Sequence, residues 1–293
     1  MSSSTLARPR ATADEPAFSD PPTLGRRSVF QDAAGGGGWS ATGRGVLTVA
    51  RSVAAIVAFL ALWELAPRLD WVDPVFLPPF SQVAATFGGL VADGTLLAQA
   101  GVSLARAGAG FAIALVVAVP LGLVVGSSPR VSSYLSPFFE VFRNTAALAL
   151  LPVFILILGI GETSKVAIVT YACFFPLLLS SITGVRTVDP LLIRSARTLG
   201  IGRVAVFAKV VLPSAVPQVF TGIRMAATSS VLVLIAAEMV GAKAGLGYFI
   251  TSTQFSFQIP QMYAGILAIS LVGVAVNAGL VAVERRLSRW RSA

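Results

Sequence analysis

At 293 residues, 55% of them hydrophobic and 12% charged, with a mean hydropathy of +0.82, the chain is too apolar for an ordinary soluble domain; its apolar residues fall in long blocks, which marks an integral membrane protein. A formal charge of +9 does not point to nucleic acid, because the Lys and Arg sit between apolar runs rather than on a basic, aromatic-interleaved surface segment. With no histidine and with Cys173 as its one cysteine, the chain has no disulfide framework and lacks the commonest general base and metal ligand, which argues against an enzyme and against a metal site.

Residues 1–45 mix Ser, Thr, Pro, Asp and Arg with the run Gly35 to Gly38. Such a segment cannot bury enough apolar surface to fold alone and reads as a disordered cytoplasmic tail. It is not a cleavable signal peptide, since the first apolar run begins too late. Residues 46–293 read as one transmembrane domain. The first span is Val46 to Ala66, about twenty residues against a hydrocarbon core of ~30 Å. Pro67, Asp70, Asp73 and Pro74 end it, and Leu77-Pro78-Pro79 opens an external segment that re-enters helix over Ser81 to Leu90. Ala100 to Gly126 follows, with Arg106 near one end, Pro120 as an expected kink and Gly122 and Gly126 at the spacing of membrane packing faces. Packing within the chain is the favoured use of those glycines.

The third span is Ser136 to Ile160, with Arg143-Asn144 near its start and Pro152 in its middle, and the fourth is Lys165 to Val185, with Pro176 inside it. A basic stretch from Arg186 to Pro213 interrupts the apolar pattern. Asp189-Pro190 opens a helix there, because Asp can cap free N–H groups and proline at the first helical position needs no donor. Gly200 and Gly202 punctuate the stretch and Leu212-Pro213 closes it. Leu192, Ala196 and Leu199 share one face at helical spacing and Arg194 and Arg197 point elsewhere, which makes the helix amphipathic and places it outside the bilayer. Val216 to Val240, ending near Glu238, and Gln261 to Val283 complete about six spans. Arg285, Arg286, Arg289, Trp290 and Arg291 form a basic end with an interfacial aromatic.

Charge asymmetry orients the chain. With both termini in the cytoplasm, only Arg68, Lys165 and Lys243 fall in the outer loops. The Arg186 to Pro213 stretch is then cytoplasmic. Glu64, Arg106, Glu140, Arg143, Arg224 and Glu238 all lie near span ends, where snorkelling to the interface is the simpler expectation. A polar path for an anion would draw on Arg143, Asn144, Arg224 and Glu238. No GxxxxGK[ST] phosphate loop, HExxH motif or carboxylate pair within a span is present, so no catalytic residues are expected and no cofactor is bound by the chain itself.

Ala196, Gly200 and Leu212-Pro213 resemble the EAA loop of bacterial ABC importer permeases, written as Glu-Ala-Ala, a glycine, and a final Leu-Pro. RNTAALALLPVFILILGIGETSK (Arg143 to Lys165), FFPLLLSSITGVRTVDP (Phe174 to Pro190), ERRLSRW (Glu284 to Trp290) and LPPFSQV (Leu77 to Val83) are similar to the nitrate/sulfonate/taurine/bicarbonate branch. The resemblance implies an all-α membrane subunit with the type I importer (MetI-like) fold in the bacterial inner membrane. It implies a second permease subunit, as a homodimer, two ATPase subunits that carry ATP and Mg, and an extracytoplasmic solute-binding protein. The loop would be the coupling helix on the ATPase. Asp189, Pro190, Leu192, Arg194, Ser195, Ala196, Leu199, Gly200, Leu212 and Pro213 are its expected residues. Ser195 replaces the first alanine and Arg194 stands where the family has glutamate, a charge reversal that calls for an acid on the partner or a tolerant rim position. The expected solute is a sulfonate, taurine, nitrate or bicarbonate. A heterocyclic vitamin precursor is the alternative solute, and a secondary carrier driven by an ion gradient is the alternative class.

Overall fold

The computed structural model describes the backbone of residues 41–287, and side chains at 51 and across 53–284. The tail over 1–40 and the C-terminal side chains Arg285 to Arg291 lie outside the described residues. The chain divides into two units, Met1–Ile56 and Val57–Ala293. In the first, the described residues are helical, the opening turns of α1 (Ala41–Arg68). This helix carries the first expected span and begins five residues before it.

The second unit is built of helices joined by turns, with no strand among its described residues. It contains α2 (Phe80–Ala92), α3 (Thr95–Ser127), α4 (Pro129–Asn144), a 3₁₀ turn (Ala147–Leu150), α5 (Leu151–Leu158), α6 (Glu162–Arg186), α7 (Pro190–Thr198), α8 (Arg203–Val206), a π-turn (Phe207–Val211), α9 (Leu212–Glu238), α10 (Leu246–Phe255) and α11 (Ile259–Leu287). Four of these stretches, Thr95–Ser127, Glu162–Arg186, Arg203–Glu238 and Ile259–Glu284, are long and apolar enough to cross a membrane among the described residues.

Two expectations change. Ser136 to Ile160 is not one continuous helix: α4 and the 3₁₀–α5 segment meet at 81°. The break falls where Thr145 and Ala146 adopt extended backbone, and Pro152 sits harmlessly in the first turn of α5, where its missing N–H is not needed. Leu212-Pro213 does not close the basic stretch either. Helix runs on from Arg203 to Glu238, and the π-turn before Pro213 supplies the locally widened ladder in which a proline is accommodated.

The core is α6 lying between α3 and α9. Ala114, Ala118, Val169, Cys173, Leu177, Leu178 and Ala226 are buried where these helices meet. Water does not drive helices together inside lipid, so close packing of small side chains does. Gly122 shows how close: a Cβ there would lie 2.6 Å from the Ser181 Cβ and 2.7 Å from the Leu178 carbonyl oxygen. By contrast only 6% of the most apolar window of α11 is buried, so its outer face meets lipid or another chain. Near the C-terminal end of α1, Trp63 Nε1 donates to the Pro78 carbonyl at 3.1 Å, and Glu64 accepts from the Ser81 backbone N–H and hydroxyl, both at 2.9 Å. Glu64 is thus a cap for α2 as well as a partner of Arg68.

Candidate functional site: a capped helix and a buried ion cluster

The two most organised polar features lie at opposite ends of α6 and α9. At 25 residues, α6 holds them about 37 Å apart at 1.5 Å per residue.

At one end, α7 leaves the bundle between α6 and α8. Asp189 caps it, its Oδ1 accepting from the Leu191 N–H at 2.8 Å, and Pro190 occupies the first helical position. Its other end closes as a Schellman motif: the Gly200 N–H reaches Arg197 O at 3.0 Å and the Ile201 N–H reaches Ala196 O at 3.2 Å. Gly200 stands at φ +75°, a left-handed conformation that L side chains adopt only with strain.

The single apolar face expected for Leu192, Ala196 and Leu199 splits in two. Ala196 is 6% exposed and packs inward beside Val185, Val188, Val206 and Val211. Leu192 is half exposed and Leu199 is 80% exposed, alongside exposed Leu191. Leu199 leaves the face because it is the cap residue, past the last helical turn. Arg194 and Ser195 are exposed, and among the described residues Arg194 pairs with no carboxylate. Behind α7 lies a cavity of about 540 Å³ lined by Arg186, Ile193, Arg197, Arg203 and Phe207 among others.

At the other end, Arg106 and Glu238 correct the snorkelling expectation. Both are buried, because each finds charged and backbone partners that repay leaving water. Arg106 Nη1 donates to Glu238 Oε1 at 2.7 Å and to the Ala244 carbonyl at 2.6 Å. Its Nε and Nη2 form a parallel pair of bonds to the two carboxylate oxygens of Glu162. Glu238 Oε2 accepts from the Ser103 hydroxyl at 2.7 Å and from the Gly247 N–H at 3.0 Å. Ser103 Oγ in turn accepts from the Leu246 N–H at 2.8 Å, and Gln99 Oε1 from the Gly245 N–H at 2.6 Å. Three N–H groups at the start of α10 are thereby satisfied by side chains of α3 and α9. Gly245 is required there: its φ is +112° and a Cβ would fall on the Glu238 carboxylate. Lys165, expected in an outer loop, is buried in the first turn of α6 with its Nζ 3.1 Å from Gly161 O.

The other path candidates do not join this cluster. Arg143 pairs with Glu140 at 2.7 Å in an exposed i,i+3 pair beside the 81° break, with Asn144 next to it. Arg224 lies 4.0 Å from Glu284, both partly exposed. Arg106, Glu162, Ser103 and Gln99 were not among the expected site residues. The signal was available: Gln99, Ser103 and Arg106 recur at i, i+4 and i+7 on one face of α3, and Gly245-x-Gly247 follows Glu238 at loop length.

A family model described as the binding-protein-dependent transport system inner membrane component matches residues 118–289. The taurine transport system permease protein TauC of Escherichia coli (strain K12) is 34% identical over 247 residues, 83% of this chain and 90% of its own length. The nitrate import permease protein NrtB of Leptolyngbya laminosa is 28% identical over 247 residues, 79% of this chain and 86% of its own. The crystal structure of an amino acid ABC transporter with histidines superposes with a TM-score of 0.51, covering 68% of this chain and 98% of that one at 18% identity. That likeness carries the fold.

Proposed function

Because this chain belongs to the inner membrane components of binding-protein-dependent transport systems and is a membrane-spanning permease subunit of an ABC importer, we propose that it imports a small oxyanion of the taurine, aliphatic sulfonate, nitrate or bicarbonate class. The taurine and nitrate permeases among its relatives support that class. The solute arrives on a binding protein outside the cell. Two copies of this chain form the path, and a pair of ATPase subunits carries ATP and Mg on the cytoplasmic side. Both termini of the chain face that side.

The observation that carries the coupling reading is α7, a helix capped at both ends that projects Leu191, Leu192 and Leu199 outward while Ala196 anchors it to the α6–α9 core. An exposed apolar patch beside arginines that pair with no carboxylate among the described residues suits a partner surface of apolar sockets and acidic residues. Arg194, on the outside of α7, then meets an acid of the ATPase. ATP binding biases the path through the different contacts it makes with its two states, and α7 transmits that bias. The test is uptake of labelled taurine or nitrate into proteoliposomes holding this chain, its ATPase and its binding protein. The expected result is uptake that requires ATP inside the ATPase-facing compartment. Uptake driven by a proton or sodium gradient without the ATPase would overturn the reading.

A further inference from the structure

We propose that Arg106 is an anion-recognition site at the solute-entry end of the path, with Glu162 as a built-in carboxylate that fills its fork until a solute oxyanion takes its place. The proposal rests on the oxyanion reading above and assigns the residue that reads the solute.

The two carboxylates on Arg106 are not equivalent. Glu238 is wholly buried and is also held by Ser103 and the Gly247 N–H. It stays. Glu162 is 67% exposed at its side chain, and the bonds its carboxylate accepts among the described residues come from Arg106. It is the first residue of α6, joined to α5 by Gly159-Ile160-Gly161. Glu162 therefore moves away from Arg106 without disturbing the core, whereas Arg106 remains oriented by Glu238 and the Ala244 carbonyl.

What Glu162 vacates is a planar Nε/Nη2 fork. That fork matches any anion with two coplanar or near-coplanar oxygens, and carboxylate, sulfonate, nitrate and bicarbonate all qualify. Glu162 also lines an open groove of about 530 Å³ with Ile113, Thr163, Val166 and Thr170, so the guanidinium and the groove share this one side chain. The volume lies within the range of small-molecule sites. Charge favours exchange over simple opening. With Glu162 removed, buried Arg106 and Lys165 face Glu238 alone, an excess positive charge that a buried site does not tolerate. An arriving oxyanion restores neutrality. Because the tethered carboxylate competes at high effective concentration, the site binds weakly, as a station on a path must.

The experiment titrates the purified full-length chain in lipid nanodiscs with methanesulfonate at constant ionic strength, following heat of binding. Glu162→Gln keeps the side chain's shape and removes the competitor, so it should bind methanesulfonate at least about tenfold more tightly than the unaltered chain, with Glu162→Asp remaining weak. In the Glu162→Gln background chloride should bind several-fold more weakly than methanesulfonate, since it cannot span the fork. Equal affinity of Glu162→Gln and the unaltered chain, or equal binding of chloride and methanesulfonate, would overturn the proposal. The readout needs no transport. Unchanged anion binding in Glu162→Gln beside ATP-driven uptake by the unaltered chain would defeat this site alone, whereas tightened binding in Glu162→Gln with no ATP-driven uptake by the unaltered chain would defeat the transport reading.

Discussion

Glu238 ties α9 to two other elements of the buried cluster, since it meets Arg106 and Ser103 of α3 and the Gly247 N–H of α10. Glu238→Ala removes the buried carboxylate that faces Arg106 Nη1, leaving that nitrogen the Ala244 carbonyl alone, and strands the buried Gly247 N–H, so it should lower stability by about 3–5 kcal/mol. Glu140→Ala should change it by about 0–1 kcal/mol, because the Glu140–Arg143 pair is exposed. Thermal melts of the two solubilised variants check the contrast; equal losses would mean the cluster contributes no more than a surface pair. The sequence displays each of these charges but not their partners. Arg106 and Glu238 are 132 residues apart, and no local pattern reports a contact at that separation. Snorkelling was a sound expectation for each taken alone, and pairing made it wrong for these two.

Among the elements, α7 was the most legible, because its ends are written in local chemistry: Asp189-Pro190 before it and Gly200 after it. The direction its residues face was less legible, since helical spacing cannot say which side meets the chain's own core. The division has consequences for mutation. Ala196→Glu would force a charge among Val185, Val188 and Val206 and dislodge the whole helix, so it should destabilise the α7 region by about 1–3 kcal/mol. Leu192→Glu should leave folding within about 0.5 kcal/mol of the unaltered chain, as a surface change does, and act on the partner alone. Limited proteolysis across Arg186 to Arg203 separates them: Ala196→Glu should be cut faster and Leu192→Glu at the unaltered rate. Gly200→Val should resemble Ala196→Glu, since strain at φ +75° costs about 1–3 kcal/mol. The 81° break between α4 and α5 was hidden for the opposite reason. It falls at Thr145-Ala146, without the proline or glycine that usually announces one, while the visible proline, Pro152, is a helix opener.

For the molecule, α3, α6 and α9 form the body that joins the two ends. Glycine and alanine at their contacts bring the backbones of these helices into close approach. Of about six expected spans, four are found among the described residues, or five with the bent α4–α5 pair. The all-helical membrane architecture was readable from hydropathy blocks, because lipid leaves a chain few other options. The tertiary adjacency of Arg106, Glu162 and Glu238 was not, and neither was the use of α10 as a short helix pinned between α3 and α9. The coupling account is tested most directly by ATP-driven solute uptake in proteoliposomes that contain the ATPase, the binding protein and either the unaltered chain or Leu192→Glu. The account predicts that Leu192→Glu loses uptake by about tenfold or more, equivalent to about 1.4 kcal/mol of docking, with its thermal melt unchanged. Full uptake by Leu192→Glu would contradict it.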